Sequence, residues 1–337
     1  MNAPSQPTIS KLRGSILREV SRSFYLSIRL LPLQLRDPIA LAYLLARATD
    51  TIADTAEFDA VLRLERLRDL AALIQRADLP PVNADAFQSF ASLQKDDAER
   101  ALIERLPACL LWLQALAEDD RREIRDVLAK INEGQTLDLQ RFQNAAQITA
   151  LATAAELDRY TYLVAGCVGE FWTRVCFLHL PHFSAASREQ MLEWGVSYGK
   201  GLQLVNILRD CGADIRAGRC YLPTEELNSL GVEPADLAGD PARAEPVLRA
   251  WRERAESGIA AGVEYACAIE SRRVRLATAL PALIGARTLA LLRDAGTQVF
   301  QRRVKMERAE VRGILFALTA RMASRSTIRA LFARLRL

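Results

Sequence analysis

The chain has 337 residues, is 50% hydrophobic and 26% charged, and carries a net charge of +4. That balance is ordinary for a globular protein and excludes a disordered or fibrous chain. The basic residues, 40 Arg and 5 Lys, are scattered, so no nucleic-acid-binding stripe forms, and the six Cys make no C-x-x-C pair or disulfide framework. In chain order, residues 1–9 read as a disordered tail. Helical periodicity then runs through about 10–30, 34–56, 57–78, 84–105, 107–117, 119–142, 152–179, 187–216, 244–270, 272–296 and 308–335. Pro32, Pro80-Pro81, Pro107, Pro181 and Pro223 punctuate the helices. There is no alternating β-branched run, hairpin signal or Gly-rich strand-to-helix turn, so the expected fold is all-α. The stretch 217–243 reads as a loop. His179 and His182 bracket a proline and, with no Cys or carboxylate adjacent in sequence, read as surface residues. No secretory leader is read at the start, so a cytoplasmic protein is expected.

Two copies of one pattern carry the chemistry: Asp50-Thr-Ile-Ala-Asp54 and, 160 residues later, Asp210-Cys-Gly-Ala-Asp214. Residues i and i+4 share a helix face about 5–6 Å apart, so each pattern sets two carboxylates side by side. A hard cation relieves their repulsion, and oxygen ligands that leave coordination positions open suit Mg²⁺ on a substrate phosphate. Arg47, one turn before Asp50, and Arg209, directly before Asp210, add guanidinium forks for phosphate oxygens. Acidic pairs at this spacing also arise by chance: Glu65 and Asp69 sit among Arg residues on an expected solvated face. Context separates the cases, because Asp50 and Asp210 end the apolar runs 41–46 and 202–208, where a carboxylate needs a partner.

Small residues mark two further segments, Tyr160 to Gly169 and Gly195, Gly199 and Gly201. Glycine inside a helix costs about 1 kcal/mol relative to alanine, which leaves two readings open: close helix packing, or the wall of an apolar tunnel. Ser21-Arg22-Ser23-Phe24-Tyr25 by itself is a capping signal.

Together these segments resemble the squalene/phytoene synthase family of head-to-head prenyl transferases across residues 18–310. The resemblance rests on Ser21-Arg-Ser-Phe24, Arg47-Ala-Thr-Asp-Thr-Ile-Ala-Asp54, Tyr160 to Gly169, and Gln203-Leu-Val-Asn-Ile-Leu-Arg-Asp210 continuing to Asp214, with Arg219 and Tyr221 following. Pro281 to Leu289 and Gln298 to Met306 look like the squalene synthase versions, of the bacterial soluble type.

The resemblance implies a single-domain, all-α isoprenoid synthase-type helical bundle with a central apolar tunnel over residues 10–307, followed by a basic amphipathic helix at 308–337. It implies Mg²⁺-dependent condensation of two farnesyl diphosphates to presqualene diphosphate, then NADPH-dependent reductive rearrangement to squalene, which downstream squalene-using enzymes would take up. The implied metal ligands are Asp50, Asp54, Asn206, Asp210 and Asp214. Arg47 and Arg209 act on the diphosphate, and Tyr160 handles the proton lost on cyclopropane closure. Ser21, Arg22, Ser23, Phe24, Tyr43, Val164, Ala165, Val168, Gly169, Leu202, Gln203, Asn206, Arg219 and Tyr221 bind substrate, and Phe300 and Lys305 meet the nicotinamide cofactor. Two departures stand out. Ala53 and Ala213 occupy places where squalene synthases usually carry an extra acid, and Ala295-Gly296 replaces an Asn-Asn pair that often precedes the Gln-Val-Phe segment.

A phytoene or dehydrosqualene synthase would use the same Asp motifs without reductant, against which the Gln298 to Met306 segment speaks. A class I terpene cyclase would carry an Asn-Ser/Thr-Glu second motif where Asp210 to Asp214 stands. A retired scaffold or assembly protein on the same fold would not need the intact Asp pairs, Arg47 and Tyr160. At the C-terminal end, the apolar stretch Ala277 to Leu292 is interrupted by Pro281 and Arg287 and falls short of about 20 residues, so no bilayer span is expected. Residues 309–337 set Ile314, Leu315, Leu318, Met322, Ile328, Leu331 and Phe332 against Arg321, Arg325, Arg329, Arg334 and Arg336. Such a segment either lies peripherally on the inner face of a membrane or packs on the bundle as a final helix.

Overall fold

The computed structural model describes residues 6–21, 23–78, 85–143 and 147–337, with the side chains of Gln6, Pro7, Ser23, Phe24, Leu26, Asp85 and Ala86 outside that description. The fold is all-α, as expected. The chain groups into two compact units, Met1–Gln140 with Arg174–His179, and Arg141–Thr173 with Leu180–Leu337.

The helices that begin in the first unit are α1 (Gln6–Lys11), α2 (Leu17–Ser21), α3 (Ser23–Leu30), α4 (Leu33–Asp54), α5 (Ala60–Gln75), α6 (Asp85–Leu93), α7 (Asp97–Ile103), α8 (Leu106–Ala115) and α9 (Glu118–Arg141). α1 occupies part of the expected tail because it runs directly into a π-helical turn, Leu12–Ile16, whose Leu12 and Ile16 are buried. In α4, Leu41, Leu44, Leu45, Ala48 and Ile52 are completely buried, and their three- and four-residue steps make one core-facing stripe. α9 opens with Glu118, Asp119 and Asp120, which suit the positive end of a helix dipole. It then buries Ile124, Val127, Leu128 and Ile131. His179 is not simply a surface residue: its Nε2 lies 2.7 Å from Oδ1 of the buried Asp120, a partner distant in sequence.

The second unit holds α10 (Ala154–Thr161), the first part of α11 (Cys167–His179), α12 (Arg188–Arg216), α13 (Thr224–Ser229), α14 (Glu245–Ala268), α15 (Arg272–Ala295), α16 (Arg308–Ala320) and α17 (Arg325–Leu335). The expected loop 217–243 is partly ordered. β2 (Arg219–Cys220) pairs in parallel with β1 (Thr149–Ala150), in the register Thr149 to Arg219 and Ala150 to Cys220. The glycine question resolves toward close packing. A Cβ on Gly169 would overlap the Gly195 carbonyl, one on Gly199 the Ala165 carbonyl, and one on Gly201 would lie 2.8 Å from the Gly258 Cα.

Two expectations near the C-terminal end change. The helical stretch Arg272–Phe300 runs through Pro281 and Arg287 and is long and apolar enough to cross a membrane, but 72% of its apolar window is buried inside the fold. Arg287 stays within it by donating to Glu310 at 2.9 Å. The single helix expected at 308–337 is two helices, because Met322 and Ala323 take left-handed backbone conformations (φ 49° and 48°) and Ser324 caps α17 by accepting from the Thr327 amide. Ile314, Leu318, Ile328 and Leu331 are buried in the core of this unit, so protein covers most of the stripe, while Phe316 and Met322 remain exposed.

Candidate active site

Asp50 and Asp54 lie in the last two turns of α4, where the helix dipole is negative and no basic residue sits in the final turn. The apolar stripe carries Asp50 partly inside and leaves Asp54 exposed. Asp50 Oδ1 accepts from Gln135 Nε2 at 2.6 Å. Burial and the neighbouring Asp54 carboxylate push the Asp50 carboxyl up to about 6, against the opposing pull of Gln135 and Arg47. Arg47 is paired with Glu99 of α7. Tyr43 donates to the Val20 carbonyl at 3.3 Å, and burial raises its phenol pKa. Ser21 is buried with its hydroxyl bonded back to the Leu17 carbonyl, so it serves its own helix rather than capping the next. Arg22 lies outside the described residues, as do the side chains of Ser23 and Phe24.

Asp210 and Asp214 sit near the C-terminal end of α12, which carries Arg216 in its last turn. Arg209 forks onto Asp210 at 2.6 and 3.2 Å, and Arg303 forms an ion pair with Asp210 Oδ1 at 3.2 Å. Burial pushes the Asp214 carboxyl up to about 6; Arg219 opposes this and the Asp210 charge adds to it. Cys211, inside the motif, is buried with its thiol pushed up to about 12, so it is no nucleophile at neutral pH. Gly212 has a plain role: a Cβ there would overlap the Phe300 carbonyl, so the missing side chain lets the 3₁₀ turn Gly296–Phe300 seat against α12.

The short β pairing brings Tyr221 to this end of α12. Its ring stacks on Tyr160 with centroids 5.1 Å apart and takes the edge of Phe142 at 5.3 Å. Tyr160 closes α10 just before a π-helical turn, Tyr162–Gly166, the kind of interruption that re-aims side chains at functional positions. Asp214, Arg219, Tyr221 and Phe300 line one small cavity of about 10 Å³. The structure therefore groups five of the expected residues, Tyr160, Asp214, Arg219, Tyr221 and Phe300. Val164, Ala165, Gln203 and Leu202 are half-buried, Val168 and Asn206 are exposed, and Asn206 donates weakly to Gln203 at 3.5 Å. Gly169 is taken up by helix packing. Lys305 is exposed beyond the 3₁₀ turn.

Among the described residues no group of three or more His, Cys, Asp or Glu forms a metal cluster. Each pair instead offers two carboxyls, one of them raised by burial and by its neighbour. That donor set fits Mg²⁺, which binds through one or two carboxylates, keeps several waters and completes its shell with phosphate oxygens.

Sequence inspection missed Gln135, Glu99 and Arg303. For Gln135 a signal existed: Asn132 and Gln135 are polar residues at core-facing positions of α9, beside Ile124, Val127, Leu128 and Ile131. Glu99 and Arg303 left no such mark.

A family model described as squalene/phytoene synthase matches residues 17–310. The chain is 29% identical over 231 residues to a 15-cis-phytoene synthase from Synechocystis sp., covering 66% of this chain and 58% of that protein. It is 30% identical over 211 residues to a squalene synthase from Saccharomyces cerevisiae, covering 62% and 44%. It thus spans about half the length of these curated relatives. A solved complex of TcSQS with a ligand superposes with a TM-score of 0.76 at 23% identity, covering 98% of this chain and 92% of that one, a likeness of fold.

Proposed function

We propose, because this chain belongs to the squalene/phytoene synthase family, that it condenses two farnesyl diphosphates head to head into presqualene diphosphate and reduces that product to squalene with NADPH. The observation that carries this is the same in both motifs: each sets two carboxyls at the end of a helix, one of them pushed up to about 6 by burial and by the neighbouring charge. Mg²⁺ held by Asp50 and Asp54, and by Asp210 and Asp214 with Asn206, would neutralise the charge that develops as an allylic diphosphate departs. Arg47, Arg209, Arg219 and the Tyr221 hydroxyl hold the diphosphate oxygens, with Ser21, Arg22, Ser23 and Gln203 assigned to the same substrate headgroups. The Tyr160 phenol oxygen takes the proton lost on cyclopropane closure as its own hydrogen passes to the leaving diphosphate. Its stacking on Tyr221 supports that role by orienting the ring. Phe24, Tyr43, Val164, Ala165, Val168 and Leu202 are assigned to the farnesyl chains, which they shield from water; Gly169, filled by the Gly195 backbone, leaves that set. Phe300 and Lys305 are assigned to the nicotinamide cofactor. Residues 10–307 carry this chemistry, and the exposed Phe316 and Met322, among basic residues of 308–337, make a peripheral contact with an anionic membrane surface.

A second reading has an observation of its own. The identity to the Synechocystis phytoene synthase equals that to the yeast squalene synthase within a percentage point, so a synthase that stops before reduction stands beside the first reading. The test is incubation of the purified protein with farnesyl diphosphate and Mg²⁺, with and without NADPH, followed by mass spectrometry of the lipid extract. Squalene formed only with NADPH is the expected result. Presqualene diphosphate or dehydrosqualene regardless of NADPH, or phytoene from the C20 substrate, would establish the second reading, and no turnover of C15 or C20 substrate would leave a scaffold.

A further inference from the structure

Gln135 has no part in the chemistry above, yet it anchors the first Asp pair. Its Nε2 donates to Asp50 Oδ1 at 2.6 Å and to Thr49 Oγ1 at 3.1 Å. Thr49 spends its own hydroxyl hydrogen on the Ala46 carbonyl at 2.8 Å, so its oxygen is an acceptor for the amide. Both hydrogens of Nε2 are thereby used, and the amide orientation is fixed: a flipped Gln135 would press Oε1 against the Asp50 carboxylate. The fixed orientation leaves Oε1 buried without a hydrogen-bond partner on a side chain that is nine-tenths buried. Asn132, one turn earlier on α9, repeats the arrangement: Nδ2 donates to the Leu128 carbonyl at 3.0 Å, and Oδ1 is buried without a partner. Buried acceptors in native proteins are nearly always satisfied, so the one on Gln135, held beside the Asp50 carboxylate and followed by a second on the same helix, calls for a donor that arrives with a ligand. A hydrated Mg²⁺ is such a donor, because it keeps several waters when it binds carboxylates. The amide's own geometry keeps Oε1 within one water's reach of the carboxylate that Nε2 holds.

We propose that Gln135 is a positioning residue for a metal ion at the first Asp pair: Nε2 orients the Asp50 carboxylate as a ligand, and Oε1 accepts a hydrogen bond from a water carried by the ion. The inference rests on the assignment of Asp50 and Asp54 as Mg²⁺ ligands. Outer-shell partners of this kind typically govern about 10–100-fold in metal affinity.

The test is a Mn²⁺ titration of the full chain without substrate, followed through the EPR signal of the free ion, in an Asp210→Ala background so that only the first pair is read. Thermal melting is recorded alongside. Asp50→Ala abolishes the binding. Gln135→Leu, which keeps the volume and removes both amide functions, weakens it roughly tenfold. Gln135→Glu, which sets a third carboxylate beside Asp50, tightens it. A residue that served only folding would shift the melting temperature in both Gln135 variants and leave Mn²⁺ affinity alike in all but Asp50→Ala, and that outcome overturns the role of Gln135 while the metal assignment stands. Absence of any Asp50-dependent Mn²⁺ binding would overturn the metal assignment itself, and the role of Gln135 with it.

Discussion

Around Asp50 the close hydrogen-bonding partner is a neutral amide, Gln135; around Asp210 the partners are two guanidinium groups, Arg209 and Arg303. Both pairs have the same spacing on the same kind of helix end, but the raised carboxyl is the first of the pair at Asp50 and the last at Asp214. The reason is local. Asp50 is carried partly inside by the α4 stripe while Asp54 is exposed, whereas Asp210 is paired with arginines and Asp214 is raised chiefly by burial, with the Asp210 charge adding to it. An amide can orient a carboxylate but cannot cancel its charge, so the Asp50 carboxyl stays raised despite its hydrogen bond. At the second pair a metal would have to compete with arginines already in place.

The largest effect tests whether both pairs are needed. Under the proposed function, Asp50→Ala and Asp210→Ala are each expected to cut product formation about 10³-fold or more, measured by mass spectrometry at saturating Mg²⁺. A mild effect of either would reduce the two pairs to one. Next comes a change confined to the second pair. Gly212→Ala drives a methyl group into the Phe300 carbonyl and is expected to cost about 1–3 kcal/mol in urea unfolding. It should also displace the segment that carries Arg303, while Asp50-dependent Mn²⁺ binding stays as in the parent chain.

The pH dependence sharpens the contrast at the first pair. The folded-state carboxyl of Asp50 lies at about 6, above its ordinary 3.8, so the native protein binds that proton more tightly than the unfolded chain does. Its contribution to metal-free stability is therefore fully present below about 3.8 and is lost as the pH rises through about 6. Asp50→Asn removes this penalty while keeping an acceptor for Gln135. The variant should melt higher than the parent at pH 8, by an amount on the order of 2 kcal/mol, and show no gain at pH 4. Thermal melts at the two pH values check the sign. Mg²⁺ affinity of the parent should weaken as the pH falls below about 6, because the proton competes for the ligand.

The smallest effect is at Arg303. Its side chain is 68% exposed, so its ion pair with Asp210 is screened and worth no more than about 1 kcal/mol. Arg303→Ala should tighten Mn²⁺ binding at the second pair by at most about fivefold, read in an Asp50→Ala background. Weaker binding instead would mean that Arg303 organises the site rather than occupying it.

The Asp pairs, the helical periodicities that carry them and the prolines between helices were legible in the amino-acid order, because an i, i+4 spacing and a helix repeat are local. Tyr160, Arg219 and Tyr221 were legible only through resemblance, and the two-residue β pairing that gathers them has no periodicity to detect. The glycines at 169, 199 and 201 announced that something came close, and only the packed helices decided that it was backbone rather than a prenyl chain. At residues 308–337 the pattern specified an apolar face, which lipid and protein satisfy equally well; the left-handed break at Met322 and Ala323 turned most of it onto the core. Gln135 meets Asp50 across 85 residues and Glu99 meets Arg47 across 52. Which charge is cancelled, and by what, depends on such long-range meetings. Sequence by itself determined where the carboxylates are paired, and the tertiary structure alone decided which of them are buried and what faces them, because burial and charge compensation belong to the packed chain and not to any segment of it.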